Sequence, residues 1–295
     1  MEENWLVYVN GEMVTAQEAT LSVFDRGFLY GDAVFEGLRC HDGRIFKLTE
    51  HTERLFRSAA AVGITVPMTR QAFNDAVKRA VRANGFANAH IRPQVSRGVA
   101  WKLGLDARNA SNPNVVIIVR PIGKSMFETE QGLKLASVSV RKIPAASIDP
   151  RIKSCNYLVN ILARAEAVAS GADEAIMFDT QGRLSEGSGD NIFLVRDGRL
   201  FTPPVEDALE GITRETVLDL ASRLGIDTCQ KVLTVYDVYN AAEVFVTGSA
   251  AGIMPVAQVD RRAVPSGVPG PVTKRLIAAY EEEVARLGEP IDVTS

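Results

Sequence analysis

Lys153 is the residue whose setting most favours chemistry. It lies in the segment RIKSCNYLVNILARAEA, just before apolar residues with helical spacing. A lysine at the start of a rigid helix reaches a fixed position and can be shifted toward its neutral, nucleophilic form. The alternative is a solvated lysine, which is the usual state of an isolated one, and spacing alone does not choose between the two.

Glu186 is a candidate for a carboxylate that contacts a bound ring. It lies in GRLSEGSGDNIFLV, where serines and glycines flank it on both sides. Glycine lets the backbone approach a ligand closely. A carboxylate beneath a pyridine ring would keep the ring nitrogen protonated and make the ring a better electron sink. The alternative is an acidic residue that forms a turn.

Two turns could hold an anion through backbone N–H groups. Gly211, Ile212 and Thr213 open the predicted helix RETVLDLASRL, and the start of a helix is a natural phosphate site. The alternative is that Thr213 only caps this helix, which needs no ligand. The second turn, GSAA at residues 248–251, follows the predicted strand EVFVT.

Arg54 lies in the predicted helix segment TEHTERLFRSAAAV. A fixed guanidinium group suits a phosphate dianion, because it offers several charged donors in one plane. The alternative is a surface pair with Glu50 one turn earlier, which contributes only about 0.2–0.5 kcal/mol. The sequence leaves both open.

Aromatic and basic residues in the first half of the chain could line a pocket. FLYGDAVFEG places glycines around Tyr30 and Phe35, so these rings either wall an apolar pocket or belong to an ordinary core. In the predicted strand HIRPQVSRG, His90 and Arg92 alternate onto the same face. This spacing indicates a polar cluster.

The first half of the chain predicts a compact α+β domain at residues 1–121. Residues 1–47 have the pattern of strands and turns, with a hairpin at Asn10-Gly11. Apolar periodicity predicts helices at 49–62 and 70–84, and HIRPQVSRG and NVVIIVRPI predict strands. The pattern lapses over residues 122–130, which we interpret as an interdomain linker.

The second half, residues 131–295, predicts a larger domain. Strands are predicted at LKLASVSVRKI, EAIMFD, NIFLVR, RLFTP and EVFVTG, and helices after Gly211 and at 271–287. The helix after Lys153 is predicted to turn one apolar face inward. That face comprises Leu158, Ile161, Leu162, Ala165 and Ala169.

Composition excludes several classes of protein. The chain has 295 residues and a net charge of −3, so nothing indicates a nucleic-acid partner. No apolar run approaches a membrane span, and the start MEENWLVYVNGE lacks the features of a signal peptide. Three well-separated cysteines and three isolated histidines predict unpaired thiols in a reducing cytoplasm and no metal site.

These segments together resemble the class IV, or fold-type IV, aminotransferases that depend on pyridoxal 5′-phosphate (PLP). Among them, the chain is most similar to the branched-chain amino acid aminotransferases, over nearly its whole length. The segments that carry the resemblance, in family order, are FDRGFLYGDAVFEGLR, HTERLFRSA, HIRPQVSRG, RIKSCNYLVNILA, ADEAIMFDTQGRLSEGSGDNIFLV, LFTPP, LEGITRETVLDLA and EVFVTGSAAGIMPV. The resemblance implies a smaller N-terminal α/β domain, a larger C-terminal domain with a β-rich core that binds PLP, and a homodimer or higher homo-oligomer.

The resemblance also implies a role for each matching residue. Lys153 corresponds to the Schiff-base lysine, Glu186 to the partner of the pyridine nitrogen, and Tyr157 to the tyrosine near the ring hydroxyl. Leu209 corresponds to the residue packed on the ring, and Arg54, Ile212, Thr213 and Ser249 correspond to the phosphate binders. The expected cofactor-binding residues are therefore Arg54, Lys153, Tyr157, Glu186, Leu209, Gly211, Ile212, Thr213, Gly248 and Ser249. The expected substrate-binding residues are Tyr30, Phe35, His90, Arg92, Ala250 and Ala251.

Two residues and one loop depart from the branched-chain pattern. Ser249 stands where threonine is frequent, a change that keeps the hydroxyl. His90 stands where these enzymes commonly have tyrosine, and a histidine can carry a charge near neutral pH. Trp101-Lys102 adds bulk and charge to the loop GVAWKLGLDAR.

The expected activity is ping-pong transamination, through Lys153, between a branched-chain L-amino acid and a 2-oxo acid such as 2-oxoglutarate. In the cell it would serve branched-chain amino acid biosynthesis in the cytoplasm. An (R)-amine or D-amino acid transaminase is the nearest alternative, because of the unusual pocket residues. An aminodeoxychorismate lyase is disfavoured by KSCNYL and GITR, and a non-catalytic PLP-binding protein is disfavoured by the presence of both Lys153 and Glu186.

Overall fold

A computed structural model describes residues 5–123 and 131–291 and divides the chain into two compact units. Unit 1 is Met1–Lys124 with Ile152–Asn156 and Val284–Ser295, and unit 2 is Ser125–Arg151 with Tyr157–Glu283. Two segments from the second half of the chain therefore lie with the first unit. Residues 124–130 of the predicted linker lie outside the described residues.

Short strands alternate with helices along the described chain. The strands are β1 (Leu6–Val9), β2 (Glu12–Thr15), β3 (Ala33–Phe35), β4 (Leu38–His41), β5 (Arg44–Ile45), β6 (Ala89–Ser96), β7 (Val115–Pro121), β8 (Leu133–Arg141), β9 (Glu174–Phe178), β10 (Asn191–Arg196), β11 (Arg199–Thr202), β12 (Thr228–Gln230), β13 (Glu243–Gly248), β14 (Gly252–Val259), β15 (Arg262–Ala263) and β16 (Glu289–Pro290). The helices are α1 (Arg26–Tyr30), α2 (Leu48–Ala61), α3 (Arg70–Asn84), α4 (Leu158–Ala169), α5 (Ile212–Arg223), α6 (Val235–Tyr239) and α7 (Pro271–Leu287), with a 3₁₀ turn at Ala107–Asn109. This mixture confirms the predicted α+β class.

Unit 1 is built on an antiparallel sheet. Its described strands pair in the order β16-β5-β4-β6-β7-β1-β2, and β3 also pairs with β6. Helices α2 and α3 pack against each other, and α3 packs on β7 and β1. The core between helices and sheet includes Leu38, Leu55, Phe73, Val77 and Ile91, all nearly inaccessible to solvent. Burial of these side chains against the sheet is the main favourable term for this unit.

Unit 2 is built on a mixed sheet. The described strands pair in the order β12-β11-β10-β13-β14-β8-β9, and β15 pairs with β14. The pairs β11–β12, β14–β8 and β8–β9 are parallel, and the others are antiparallel. Every residue of β9 is buried, as is all of β10 except its last residue, which explains the apolar runs AIMF and IFLV within them.

Residues 26–30 form a short helix where the sequence predicts strands and turns. Asp25 accepts a hydrogen bond from the Gly27 N–H at the start of α1, and Gly31 ends it in the left-handed conformation at a φ of 67°. A five-residue helix has too few residues to show periodicity, so its caps are the only signal in the sequence. The predicted strand AVFEGLRC is likewise split into β3 and β4.

The predicted inward face of α4 is wrong. Leu158, Ile161 and Leu162 are 67%, 61% and 52% exposed, whereas Ala163 and Ala167 are completely buried. The two alanines pack with residues of β8 and β9 because their small side chains let the helix approach the sheet closely. Apolar spacing located the helix but did not show which side of it faces the sheet.

In the described part of the chain, no helix is long and apolar enough to cross a membrane.

Candidate functional site

Lys153 is held by a strand rather than by a helix. Its carbonyl accepts from the Phe35 N–H at 3.0 Å, and the Cys155 N–H donates to the Ala33 carbonyl at 2.8 Å, so the segment pairs with β3. The Lys153 N–H donates to Ser58 Oγ in α2 at 3.1 Å. The helix that was expected to position Lys153 begins only at Leu158 and belongs to unit 2. Backbone pairing within unit 1 therefore fixes the lysine.

A fully buried ion cluster surrounds Arg54. Its Nε donates to Glu36 Oε1 at 2.7 Å and its Nη2 to Glu36 Oε2 at 2.8 Å. His51 donates from Nδ1 to Glu36 Oε2 at 2.7 Å, because an ionised carboxylate can only accept. The alternative partner, Glu50, lies against Lys47 instead. A bidentate pair fixes the plane of the guanidinium as well as its position.

Electrostatics set the protonation states in this cluster. Burial acts to raise the pKa of Glu36, but the Arg54 guanidinium and the hydrogen bonds from Arg54 and His51 outweigh it and hold that pKa far below its usual range. Burial lowers the pKa of His51, and the charges of Arg54 and Lys153 act in the same direction against the attraction of Glu36. The cluster therefore contains an anionic Glu36, a cationic Arg54 and a neutral His51 near neutral pH.

Arg92 and Phe35 lie beside the lysine in unit 1. The Arg92 guanidinium carbon is 3.6 Å from the centre of the Phe35 ring, and Lys153 Nζ is 4.8 Å from the same point. Within the described chain, the buried Nε of Arg92 has no hydrogen-bond partner. A buried donor without an acceptor is costly, so this one is suited to an anionic ligand.

His90 lies on the same face of β6 as Arg92, as predicted from the alternation of the strand. Burial lowers the pKa of His90, and the charges of Arg92 and Lys153 lower it further. The imidazole is therefore neutral near neutral pH, and the charge considered from the sequence is not favoured.

Tyr30 lies at the end of α1, where its hydroxyl accepts from the Gly104 N–H at 3.0 Å.

Glu186 is the centre of a second polar cluster, in unit 2. Lys142 donates from Nζ to Glu186 Oε1 at 2.6 Å. The other oxygen, Oε2, accepts from Asn191 Nδ2 at 3.2 Å and from the Leu209 N–H at 3.0 Å. Asn191 also donates to the Leu209 carbonyl at 3.0 Å, so two predicted residues, Glu186 and Leu209, are joined through one that the sequence did not indicate.

The start of α5 has the form of an anion site. Gly211 is the N-cap, and no side chain among the described residues caps this helix end. Thr213 lies inside the helix and is 3% exposed, so plain capping by Thr213 is wrong. A Cβ at Gly211 would lie 1.9 Å from Asn191 Oδ1, so any other residue here would displace the Asn191 side chain. Uncapped N–H groups and the helix dipole together favour an anion.

The second predicted turn joins two neighbouring strands. Residues 249–251, with Ser249, Ala250 and Ala251 all half-buried, connect β13 to β14. A Cβ at Gly248 would approach Asp190 Oδ1 to 2.3 Å. Tyr157, also half-buried, is the residue just before α4.

Four polar residues of these clusters were not predicted from the sequence. They are Glu36, His51, Lys142 and Asn191. Glu36 has a weak signal, since it interrupts an apolar segment between Phe35 and a glycine. Lys142 has none, because it follows Arg141 at a strand end where exposed basic residues are common.

Comparison with known proteins identifies the family. The sequence model for the family Amino-transferase class IV matches residues 33–259. The branched-chain-amino-acid aminotransferase of Pseudomonas aeruginosa is 38% identical over 291 residues, which cover 96% of this chain and 94% of that protein.

Solved structures agree with the sequence match. The branched-chain aminotransferase from Thermoproteus uzoniensis, solved with norvaline, has a TM-score of 0.91 and 37% identity and covers 98% of this chain and 99% of that one. A branched-chain amino acid aminotransferase from T.th., complexed with N-(5′-phosphopyridoxyl)-L-glutamate, has a TM-score of 0.92 and 34% identity, with 98% and 99% of the two chains covered.

The stability of the ligand-free protein is expected to fall as the pH drops below about 6.5, the value for histidine in an unfolded chain. The pKa of His51 is lower in the fold, so the unfolded chain binds its proton first and acid favours unfolding. Below about pH 4.3, Glu36 acts in the same direction, because its folded pKa is also lowered.

Unfolding by urea, measured between about pH 8 and pH 5, would test this expectation. His51→Gln should reduce the dependence on pH by up to about 1.4 kcal/mol per pH unit. His41→Gln is the matched control, because the His41 side chain is 39% exposed. An unchanged slope in His51→Gln would contradict the assignment.

Proposed function

Since the chain belongs to the class IV aminotransferases and is a PLP-dependent enzyme, we propose that it transfers an amino group between a branched-chain L-amino acid and a 2-oxo acid such as 2-oxoglutarate. The observation that carries the proposal is the group formed by Lys153, Phe35 and Arg92 in unit 1. It combines a positioned amine, an apolar ring and a buried guanidinium donor without an acceptor. A branched-chain amino acid has a carboxylate and an apolar side chain to match these groups.

Residues within each unit fit the cofactor. In unit 2, the phosphate would be held by the uncapped start of α5 and by Ser249. In unit 1, the Arg54 guanidinium, whose plane Glu36 fixes, is a phosphate-binding group by the family resemblance. Glu186 would face the ring nitrogen, Tyr157 the ring hydroxyl, and Leu209 the face of the ring. When bound, PLP supplies a carbonyl that takes up the amino group and a ring that accepts an electron pair.

The chain's own groups would perform the remaining work. Lys153 Nζ would hold the cofactor covalently and afterwards move the proton from the substrate's Cα. The Arg92 guanidinium would bind a carboxylate of the substrate, and the neutral His90 beside it would add a hydrogen bond without adding charge. Phe35 and Tyr30 of unit 1 would line the apolar part of the substrate site, and the family resemblance assigns the turn at residues 249–251 of unit 2 to substrate binding. Two half-reactions at one site correspond to ping-pong kinetics.

One observation favours a second candidate, a transaminase for (R)-amines or D-amino acids. His90 is neutral and shorter than the tyrosine common in branched-chain enzymes, so it leaves more room beside Arg92. A looser pocket would accept the opposite arrangement of substituents at Cα.

The assembly that we propose is a homodimer in the cytoplasm. The exposed face of α4, with Leu158, Ile161 and Leu162, supports an oligomer, because contiguous apolar surface is usually covered.

Borohydride reduction of the yellow protein should fix PLP to Lys153, since a lysine is the residue that can hold the cofactor's carbonyl. Peptide mapping by mass spectrometry would locate the adduct. Lys153→Ala should lose it, and Lys134→Ala, at an exposed position on β8, should keep it. An adduct on another lysine in the wild type would refute the assignment.

Loss of the Arg54 charge should weaken PLP binding about ten- to a hundredfold, because a charge-assisted hydrogen bond contributes about 1.5–3 kcal/mol. Replacing Arg54 alone would leave a buried, unpaired Glu36, which destabilises the fold. The double variant Glu36→Gln/Arg54→Gln is therefore compared with Glu36→Gln alone, by titration of the apoprotein with PLP. Equal affinities would mean that Arg54 has only a structural role.

The donor preference distinguishes the two candidate functions. We expect turnover of L-leucine, L-isoleucine or L-valine with 2-oxoglutarate, and weaker activity on D-amino acids or (R)-amines. Arg92→Ala should damage the amino-acid reactions more than any amine reaction, because an amine has no carboxylate to bind. Ready use of an (R)-arylamine with none of the three branched-chain substrates would favour the second candidate.

A further inference from the structure

We propose that Lys142 is a positioning residue for the reaction. Its positive charge keeps Glu186 in the carboxylate form, so that the proton shared between Glu186 and the cofactor's ring nitrogen stays on the nitrogen. This inference rests on the proposed role of Glu186 opposite that nitrogen. Lys142 itself need not touch cofactor or substrate, because it acts through the Glu186 side chain.

The contact between the two side chains is short and largely removed from water. Lys142 Nζ lies 2.6 Å from Glu186 Oε1, and the side chains are 15% and 9% exposed. Salt screens such a pair much less than a surface pair. Burial acts to lower the pKa of Lys142, but the Glu186 carboxylate, its hydrogen bond and Tyr157 raise it above the ordinary value. Lys142 is therefore a permanent cation at neutral pH.

Neighbouring residues of one strand hold both groups in place. The Lys142 N–H donates to the Phe178 carbonyl at 3.0 Å, and the Glu186 carbonyl accepts from the Met177 N–H at 2.9 Å. Met177 and Phe178 are the last two residues of the buried strand β9. The main chains of Lys142 and Glu186 are thus anchored to adjacent residues of one strand, which keeps their side chains within reach of each other.

Glu186 still has capacity for one more donor. A carboxylate has about four acceptor positions, and the residues that the structure describes supply three donors, from Lys142, Asn191 and the Leu209 N–H. Both donors other than Lys142 lie on Oε2, so Oε1 carries one donor from this part of the chain. A protonated ring nitrogen can therefore be added without breaking the ion pair.

Charge decides where the shared proton rests. The proton can stay on the nitrogen, opposite an ionised Glu186, or move to Glu186 and leave both groups neutral. Two cations repel, so a protonated nitrogen stays farther from Lys142 than the Glu186 oxygen does. Since the Coulomb energy falls with distance, Lys142 stabilises the carboxylate more than it disfavours the protonated ring. The charged arrangement, in which the ring is the stronger electron sink, is favoured.

The ¹⁵N chemical shift of the ring nitrogen, measured with isotopically labelled PLP bound to the protein, tests the proposal without any assay of turnover. Wild type should show a protonated nitrogen, and Glu186→Gln should supply the shift of the neutral ring. Lys142→Met should move the shift most of the way toward the Glu186→Gln value. Lys142→Arg keeps the charge and should restore the wild-type shift.

Two further variants separate charge from structure. Lys142→Gln can still donate a hydrogen bond to Glu186 but carries no charge, so it should behave like Lys142→Met, and it serves if that variant does not fold. Lys134→Met, at an exposed position on β8, the strand that ends just before Lys142, should leave the shift unchanged.

A wild-type shift equal to that of Glu186→Gln would overturn the proposal, as would wild-type shifts in the neutral Lys142 variants. A wild-type protein that does not bind PLP would overturn the proposed function, and this inference with it.

Discussion

The buried ion cluster of Glu36, Arg54 and His51 is the polar constraint that joins the sheet of unit 1 to helix α2. Glu36 lies in the break between β3 and β4, and its two partners lie on α2, so the cluster joins the sheet to the helix. Removal of one member of a buried ion pair typically costs about 3–5 kcal/mol, because the other charge is left without a partner. Glu36 directly follows β3, the strand with which the segment of Lys153 pairs. The cluster and the proposed catalytic lysine are therefore attached to the same strand of unit 1.

Glu186 in unit 2 resembles Glu36 in that a nearby cation stabilises its charge, but the two carboxylates differ in what remains available. Glu36 has three protein donors from two fully buried cluster partners and is itself fully buried. Glu186 is 7% exposed, and within the described residues one of its oxygens has a single donor. The first arrangement holds structure together. The second leaves an acceptor for the ring nitrogen that we propose as its ligand, so the cation beside it, Lys142, enters the proposal.

Position 90 shows how burial and neighbouring charges set the protonation state of a side chain. A histidine near neutral pH can be charged or neutral, and in isolation it would titrate close to the working pH. Burial and the cations Arg92 and Lys153 select the neutral form. The positive charge of the proposed carboxylate subsite thus lies on Arg92, and His90 is a neutral polar group beside it. A tyrosine at position 90 would also be neutral and polar, but its hydroxyl would extend farther.

The sequence by itself determined the family, the α+β class and the identity of the residues matched to family motifs, because each of these depends on local patterns that residue types express directly. Helix α3 and strand β9 were predictable for the same reason, since the helical periodicity of α3 and the apolar run of β9 are visible in the sequence. Only the tertiary structure decided that Ala163 rather than Leu162 faces the sheet, and that Lys153 is held by β3 rather than by α4. It alone paired Arg54 with Glu36, 18 residues away, and Lys142 with Glu186, 44 residues away. Such pairings depend on which distant segments meet in the fold, and no spacing along the chain encodes that distance.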